Sequence, residues 1–97
     1  MKVNIPDRVL KEITEFAAKH NVDKVILFGS RARGTHTERS DIDIAVCGGD
    51  HDAFYWDIKE KVHSLLSFDV VFLDKSTSKE LMNELERDGV TIYEKAW

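Results

Sequence analysis

Three aspartates and one glycine–serine turn carry the chemistry available to this sequence. Asp41 and Asp43 alternate with Ile42 and Ile44. Alternation at period two argues a strand with one face buried, so the two carboxylates project together from the other face. Aspartate is a poor strand former, and like charges two residues apart repel. A fold tolerates that pair most easily when a cation sits between the carboxylates. Upstream, the apolar run Val25-Ile26-Leu27-Phe28 stops at Gly29-Ser30. A strand, a glycine, a serine and a short helical turn over 30–33 set backbone N–H groups and a hydroxyl at a helix N-terminus, which attracts phosphate. Alone, Gly29 turning the chain and Ser30 capping the turn would read the same way. Asp69 is the third acid, set in the otherwise apolar run 68–73.

The elements that must position these residues follow from periodicity. Pro6 to His20 reads as an amphipathic helix with Val9, Ile13, Phe16 and Ala17 on one stripe. Lys24 to Phe28 is β-branched and apolar without polar alternation, as in a strand buried on both faces. Gly34 to Ser40 reads as a polar loop, and Asp41 to Val46 as the second strand, ended by Gly48-Gly49-Asp50. Asp52 to Leu66 is a second long helix with a core stripe of Tyr55, Ile58, Val62, Leu65 and Leu66. Trp56 lies off that stripe and is a candidate partner anchor. Phe68 to Leu73 is the third strand. Thr77 with Glu80 forms a capping-box signature for a helix to about Asp88, with Gly89 as its stop. Val90 to Tyr93 is expected as an edge strand, and Trp97 as a tail or contact residue.

Connection length then sets the strand directions. About a dozen residues join the first two strands, which is short for a parallel crossover and makes them antiparallel neighbours. A helix joins the second and third, the usual parallel crossover. Gly29-Ser30 ends the first strand, Asp41 and Asp43 start the second, and Asp69 starts the third. All of them reach one edge of a small mixed sheet with helices packed on it, an α/β fold. Three carboxylates with no histidine or cysteine beside them form a hard-oxygen site that suits Mg²⁺ or Mn²⁺ and not zinc. Two such ions can hold the attacking and leaving oxygens of a phosphoryl displacement.

Composition narrows the classes. Residues 1–97 are expected as one domain, with 42% hydrophobic and 33% charged residues, as in a soluble globular protein. No apolar run is long enough to span a membrane, and the start Met1-Lys2-Val3-Asn4 has no signal-peptide core, so a cytoplasmic location is expected. Cys47, the one cysteine, suits a reducing compartment and a packed position. The formal net charge of -4 argues against broad, non-specific nucleic-acid binding. His20, His36, His51 and His63 are scattered in polar settings and read as surface residues.

Gly29-Ser30, residues 31–40, Asp41-x-Asp43 and a later strand with Asp69 resemble the nucleotidyltransferase superfamily that includes DNA polymerase beta. The wording GSRARG…SDIDIAV is similar to its minimal nucleotidyltransferases, the MNT proteins, over about residues 25–73. The resemblance implies the nucleotidyltransferase fold. It implies that Asp41 and Asp43 ligate metals holding a nucleoside triphosphate. Asp69 completes the site and helps activate the acceptor hydroxyl. By the same resemblance Gly29 and Ser30 would bind the outer phosphates, and Arg31 and Arg33 would neutralise triphosphate charge, with a structural role in the turn as the alternative for Arg33. It also implies two Mg²⁺ ions, ATP as donor, and a separate helical HEPN-type partner in a hetero-oligomer. The partner is then a toxin silenced by AMP on a tyrosine, with this chain as antitoxin, or a substrate-binding subunit for a small-molecule acceptor. A non-catalytic antitoxin acting through Trp56, Trp97 and the last strand is the alternative from another class. A two-metal nuclease or phosphatase fits less well, because the turn suits a triphosphate and no basic groove accompanies the acids.

Overall fold

The computed structural model describes residues 4–62 and 66–96. Helix α1 (Asp7–Lys19) is followed by strand β1 (Lys24–Phe28), the one-turn helix α2 (Ser30–Arg33) and β2 (Ile42–Cys47). Helix α3 (His51–Lys61), β3 (Phe68–Phe72), α4 (Lys79–Asp88) and β4 (Val90–Glu94) complete the order. The four strands form one mixed sheet in the order β3-β2-β1-β4. β1 is antiparallel to both β2 and β4, and β2 is parallel to β3. These are the directions expected from connection length, and β4 is an edge strand as expected.

The sheet has two unequal faces. Val25, Leu27, Ile42, Ile44 and Val46 turn to one side and are buried with Val9, Ile13 and Ala17 of α1 and Phe54 and Ile58 of α3. The other side is thinner: Phe28 and Ala45 pack with Leu85 of α4, and half-buried Ile26, Val71 and Leu73 border them. β1 is therefore covered on both faces, but fully only on the first.

Three boundaries depart from the sequence expectation for identifiable reasons. α3 begins at His51 and, within the described residues, ends at Lys61; the expected Leu65 position lies outside them. Its buried residues are Phe54, Asp57 and Ile58, not Tyr55. The Tyr55 ring stays at the rim beside Phe72, where its hydroxyl need not be desolvated. α4 is capped by Ser78, whose hydroxyl accepts from the Leu81 N–H at 3.2 Å. The Thr77 hydroxyl is already used, accepting from the Asp74 N–H at 2.9 Å. β2 starts at Ile42, which leaves Asp41 exposed just ahead of the strand.

The histidines also differ from their expected surface placement. His20 Nε2 lies 2.6 Å from an Asp57 carboxylate oxygen. His51 stacks on Phe72, with ring centroids 4.3 Å apart. His36 is half-buried, and nothing in the structure explains why its Nδ1 has no hydrogen-bond partner. His63 and Trp97 lie outside the described residues.

Candidate active site

The site grows from the register of the two parallel strands. Asp43 of β2 and Asp69 of β3 are direct partners in the ladder, on strands about 4.8 Å apart. Both share the α4 side of the sheet with Ala45 and Val71, because alternate residues face the same way. Phe28, the last residue of β1, pairs with Asp43 from the other flank. The next residue, Gly29, turns the chain into α2 with a φ of 73°. A Cβ at Gly29 would sit 2.2 Å from an Asp43 carboxylate oxygen. Both the left-handed backbone and that contact require glycine here. The turn and the acid are thus built against each other.

Asp43 is half-buried, and burial pushes its carboxyl above the usual carboxylate value. The charges of Asp69, Asp41 and Glu84 push it the same way, and Arg33 opposes them. Four acids and the Arg33 guanidinium therefore share this end of the sheet, a local excess of negative charge of the kind a hard cation relieves. The donor set is oxygen only. Among the described residues, no three such side chains stand gathered closely enough to enclose an ion as placed. The fit to a divalent ion thus rests on donor chemistry and charge, with Asp43 and Asp69 facing it from adjacent strands.

The two arginines of the turn have separate fates. Arg31 was expected at the phosphates, but its side chain is buried, 5% exposed. Its guanidinium donates to the carbonyls of Asn4 at 2.7 Å, Ser40 at 3.1 Å, Glu38 at 3.3 Å and Thr37 at 3.4 Å. Those bonds fasten the 37–40 loop, and so the approach to Asp41, onto α2. Arg33 stays half-exposed, 3.6 Å from Glu84 of α4. Glu84 was not singled out from the sequence. Its signal is position: it lies three residues after Leu81 and one before Leu85, at the border of the buried stripe of α4.

A cleft of about 440 Å³ opens beside Asp41, lined by Glu38, Arg39, Leu66 and Ser67. It lies on the β3 side of the acids, whereas the Gly29-Ser30 turn lies on the β1 side. Away from this end, burial raises the Cys47 thiol above its ordinary value, consistent with a packed residue and not a nucleophile.

A mixed sheet with an Asp-x-Asp strand, a third acid on the next parallel strand and a glycine–serine turn beside them defines a nucleotidyltransferase core. The chain belongs to that family: residues 11–96 match the Polymerase beta, Nucleotidyltransferase domain. It is 43% identical over 63 residues to a candidate protein adenylyltransferase of Methanocaldococcus jannaschii, covering 65% of this chain and 61% of that protein. It is 35% identical over 72 residues to the protein adenylyltransferase MntA of Shewanella oneidensis, covering 71% of this chain and 52% of that protein. The match thus spans less than two thirds of either relative's length. Among solved structures, it is similar to a toxin–antitoxin crystallised with AMP-PNP. The TM-score is 0.68 at 27% identity, over 89% of this chain and 73% of that one. Among the described residues no helix is long and apolar enough to cross a membrane.

Proposed function

We propose that this chain is a divalent-metal-dependent nucleotidyltransferase that moves AMP from ATP to a tyrosine hydroxyl of a HEPN-type partner toxin, and so acts as its antitoxin. The single observation that carries the reading is the direct pairing of Asp43 with Asp69 beside the Gly29 turn. The names of its relatives support the acceptor class, protein, and the toxin–antitoxin setting.

Asp41, Asp43 and Asp69 would hold the metal, Mg²⁺ or Mn²⁺. When bound, it polarises the phosphoryl oxygens and neutralises the charge that develops on them. Ser30 and the backbone around Gly29 hold the outer phosphates, with Arg33 beside them. Arg31 acts at one remove, by fixing the loop that leads into Asp41. Attack must come in line, opposite the leaving diphosphate. With the outer phosphates on the β1 side, the hydroxyl enters from the β3 side, where the cleft beside Asp41 opens. Asp69, the partner of Asp43 on β3, helps take up the hydroxyl proton. Orientation and charge stabilisation are most of what this chemistry requires.

The test is incubation of the protein with labelled ATP, Mg²⁺ and the partner encoded beside it. Label on a partner tyrosine, lost on Asp41→Asn, is the expected result. No transfer, or transfer undiminished by that substitution, removes the reading. A second reading has one observation in its favour: Trp56 is 58% exposed beside Tyr55, in position to cover a partner. It predicts that neutralisation survives Asp43→Asn and fails on Trp56→Ala.

A further inference from the structure

The Arg33–Glu84 pair ties the phosphate turn to α4 across the site, and neither its partner choice nor its purpose follows from the transfer reaction. Arg33 is the last residue of α2, and the next residue, Gly34, leaves the helix in the left-handed conformation. Its side chain therefore starts on the wall of the acid site. Its charge is felt by Asp43, as is the opposite charge of Glu84. The carboxylate that holds this guanidinium is that of Glu84, which belongs to neither β2 nor β3.

We infer that Glu84 is a positioning residue that keeps the Arg33 guanidinium off Asp43 and Asp69 while the nucleotide is absent, and yields it to the triphosphate when the nucleotide binds. The inference rests on the nucleotidyl-transfer reading of the same site. Its logic is competition. A guanidinium satisfies carboxylate oxygens in a fork, and the oxygens it would take on Asp43 or Asp69 are the ones a divalent ion needs. With Glu84 present, the arm is parked one element away. The parking contact must also be weak enough to exchange. At 3.6 Å, with the two side chains 41% and 30% exposed, solvent screens it strongly. A triphosphate carries several negative charges in one place and outcompetes a single screened carboxylate for the arm. One arginine thus changes from a parked charge to a phosphate contact without ever blocking the metal position.

The experiment is a double-mutant cycle read by Mn²⁺ binding, followed through the electron paramagnetic resonance signal of free Mn²⁺, so that turnover is not the readout. Without nucleotide, Glu84→Gln should weaken Mn²⁺ binding about fivefold, because Arg33 swings to the acids. Arg33→Gln in that background should restore it, and Arg33→Gln alone should change it less than about twofold. With a non-hydrolysable ATP analogue bound, the Glu84→Gln defect should shrink below about twofold, since the arm is then on phosphate. A role of Glu84 as simple through-space charge, or as a helix tether, predicts instead that the two substitutions add and that the defect persists with nucleotide. Additive changes overturn the inference while leaving the transfer reading intact. If the unmodified protein takes up neither Mn²⁺ nor the analogue, the transfer reading fails first and this inference with it. Thermal melting of all variants checks that the fold is kept.

Discussion

Two aspartates on opposite faces of the sheet show how differently one side chain can be treated. Asp57, on α3, is buried, but His20 Nε2 lies 2.6 Å from one of its carboxylate oxygens. Lys61 lies 3.0 Å and Lys19 3.7 Å from its oxygens. The His20 and Lys61 contacts bring its carboxyl down from the ordinary 3.8 to about 2. Asp43 has the reverse surroundings: burial first, then three other acids, push its carboxyl up. A second comparison shows that geometry alone does not set the Asp43 end apart. Gly48 lies as close to Asp23 as Gly29 does to Asp43, each placing a hypothetical Cβ 2.2 Å from a carboxylate oxygen. The glycine–aspartate approach is therefore a folding device at both ends. What singles out the Asp43 end is uncompensated charge. Compensated acids hold the fold; uncompensated ones are held by it at some cost.

Removing the charge should separate the two ends most sharply. Asp43→Asn or Asp69→Asn is expected to lower nucleotidyl transfer by about a hundredfold or more, while the melting temperature holds or rises because a repulsion is relieved. A variant that melts lower and still transfers AMP would contradict the contrast. The glycines give the next largest effect. Gly29→Ala and Gly48→Ala should each cost about 1–3 kcal/mol of stability, from left-handed backbone and the displaced carboxylate. Only Gly29→Ala should also reduce transfer, by about tenfold, since it moves a group in the site. Equal loss of activity in both would mean that the Asp43 end has no special standing. Asp57→Asn should do the opposite of Asp43→Asn: a melting temperature lower by several degrees, with Mn²⁺ affinity unchanged.

The sequence made the sheet and the acids legible because both depend on short-range rules. A loop too short for a crossover sets β1 against β2, and a helix-length connection sets β2 beside β3. Those two facts already bring residues 29, 41, 43 and 69 to one edge. The misses come from where charge is buried. Helical spacing puts Tyr55 in the α3 stripe, yet Asp57 is buried there instead; the cations that allow its burial come from α1 and from one turn along α3, and only the fold brings His20 there. Arg31 and Arg33 stand two residues apart on a helical turn, about 200° around its axis. They cannot both face the phosphates; the structural role expected as the alternative for Arg33 falls to Arg31, and nothing local in the sequence says which one turns inward. Glu84 reaches the site only because α4 crosses the sheet face over β1, a contact no local pattern encodes.

The smallest expected effect is a pair of opposed slopes in stability against pH. For Asp57, the unfolded chain takes up its proton near 3.8 and the folded chain only near 2, so the unfolded state binds more protons in that interval. Its stabilising contribution is complete above about 4 and is lost as the pH falls toward 2. For Asp43 the folded state holds its proton more tightly, so stability falls as the pH rises past the ordinary carboxylate value. Urea titrations at a series of pH values should show both in the unmodified protein. Asp57→Asn should flatten the limb between about 2 and 4, and Asp43→Asn the limb above it. Saturating Mg²⁺ should cancel the upper slope and leave the lower one untouched, because only at the Asp43 end does an added cation supply the charge that the protein lacks. If Mg²⁺ moves both limbs alike, its action is general screening, and the two ends differ in degree only.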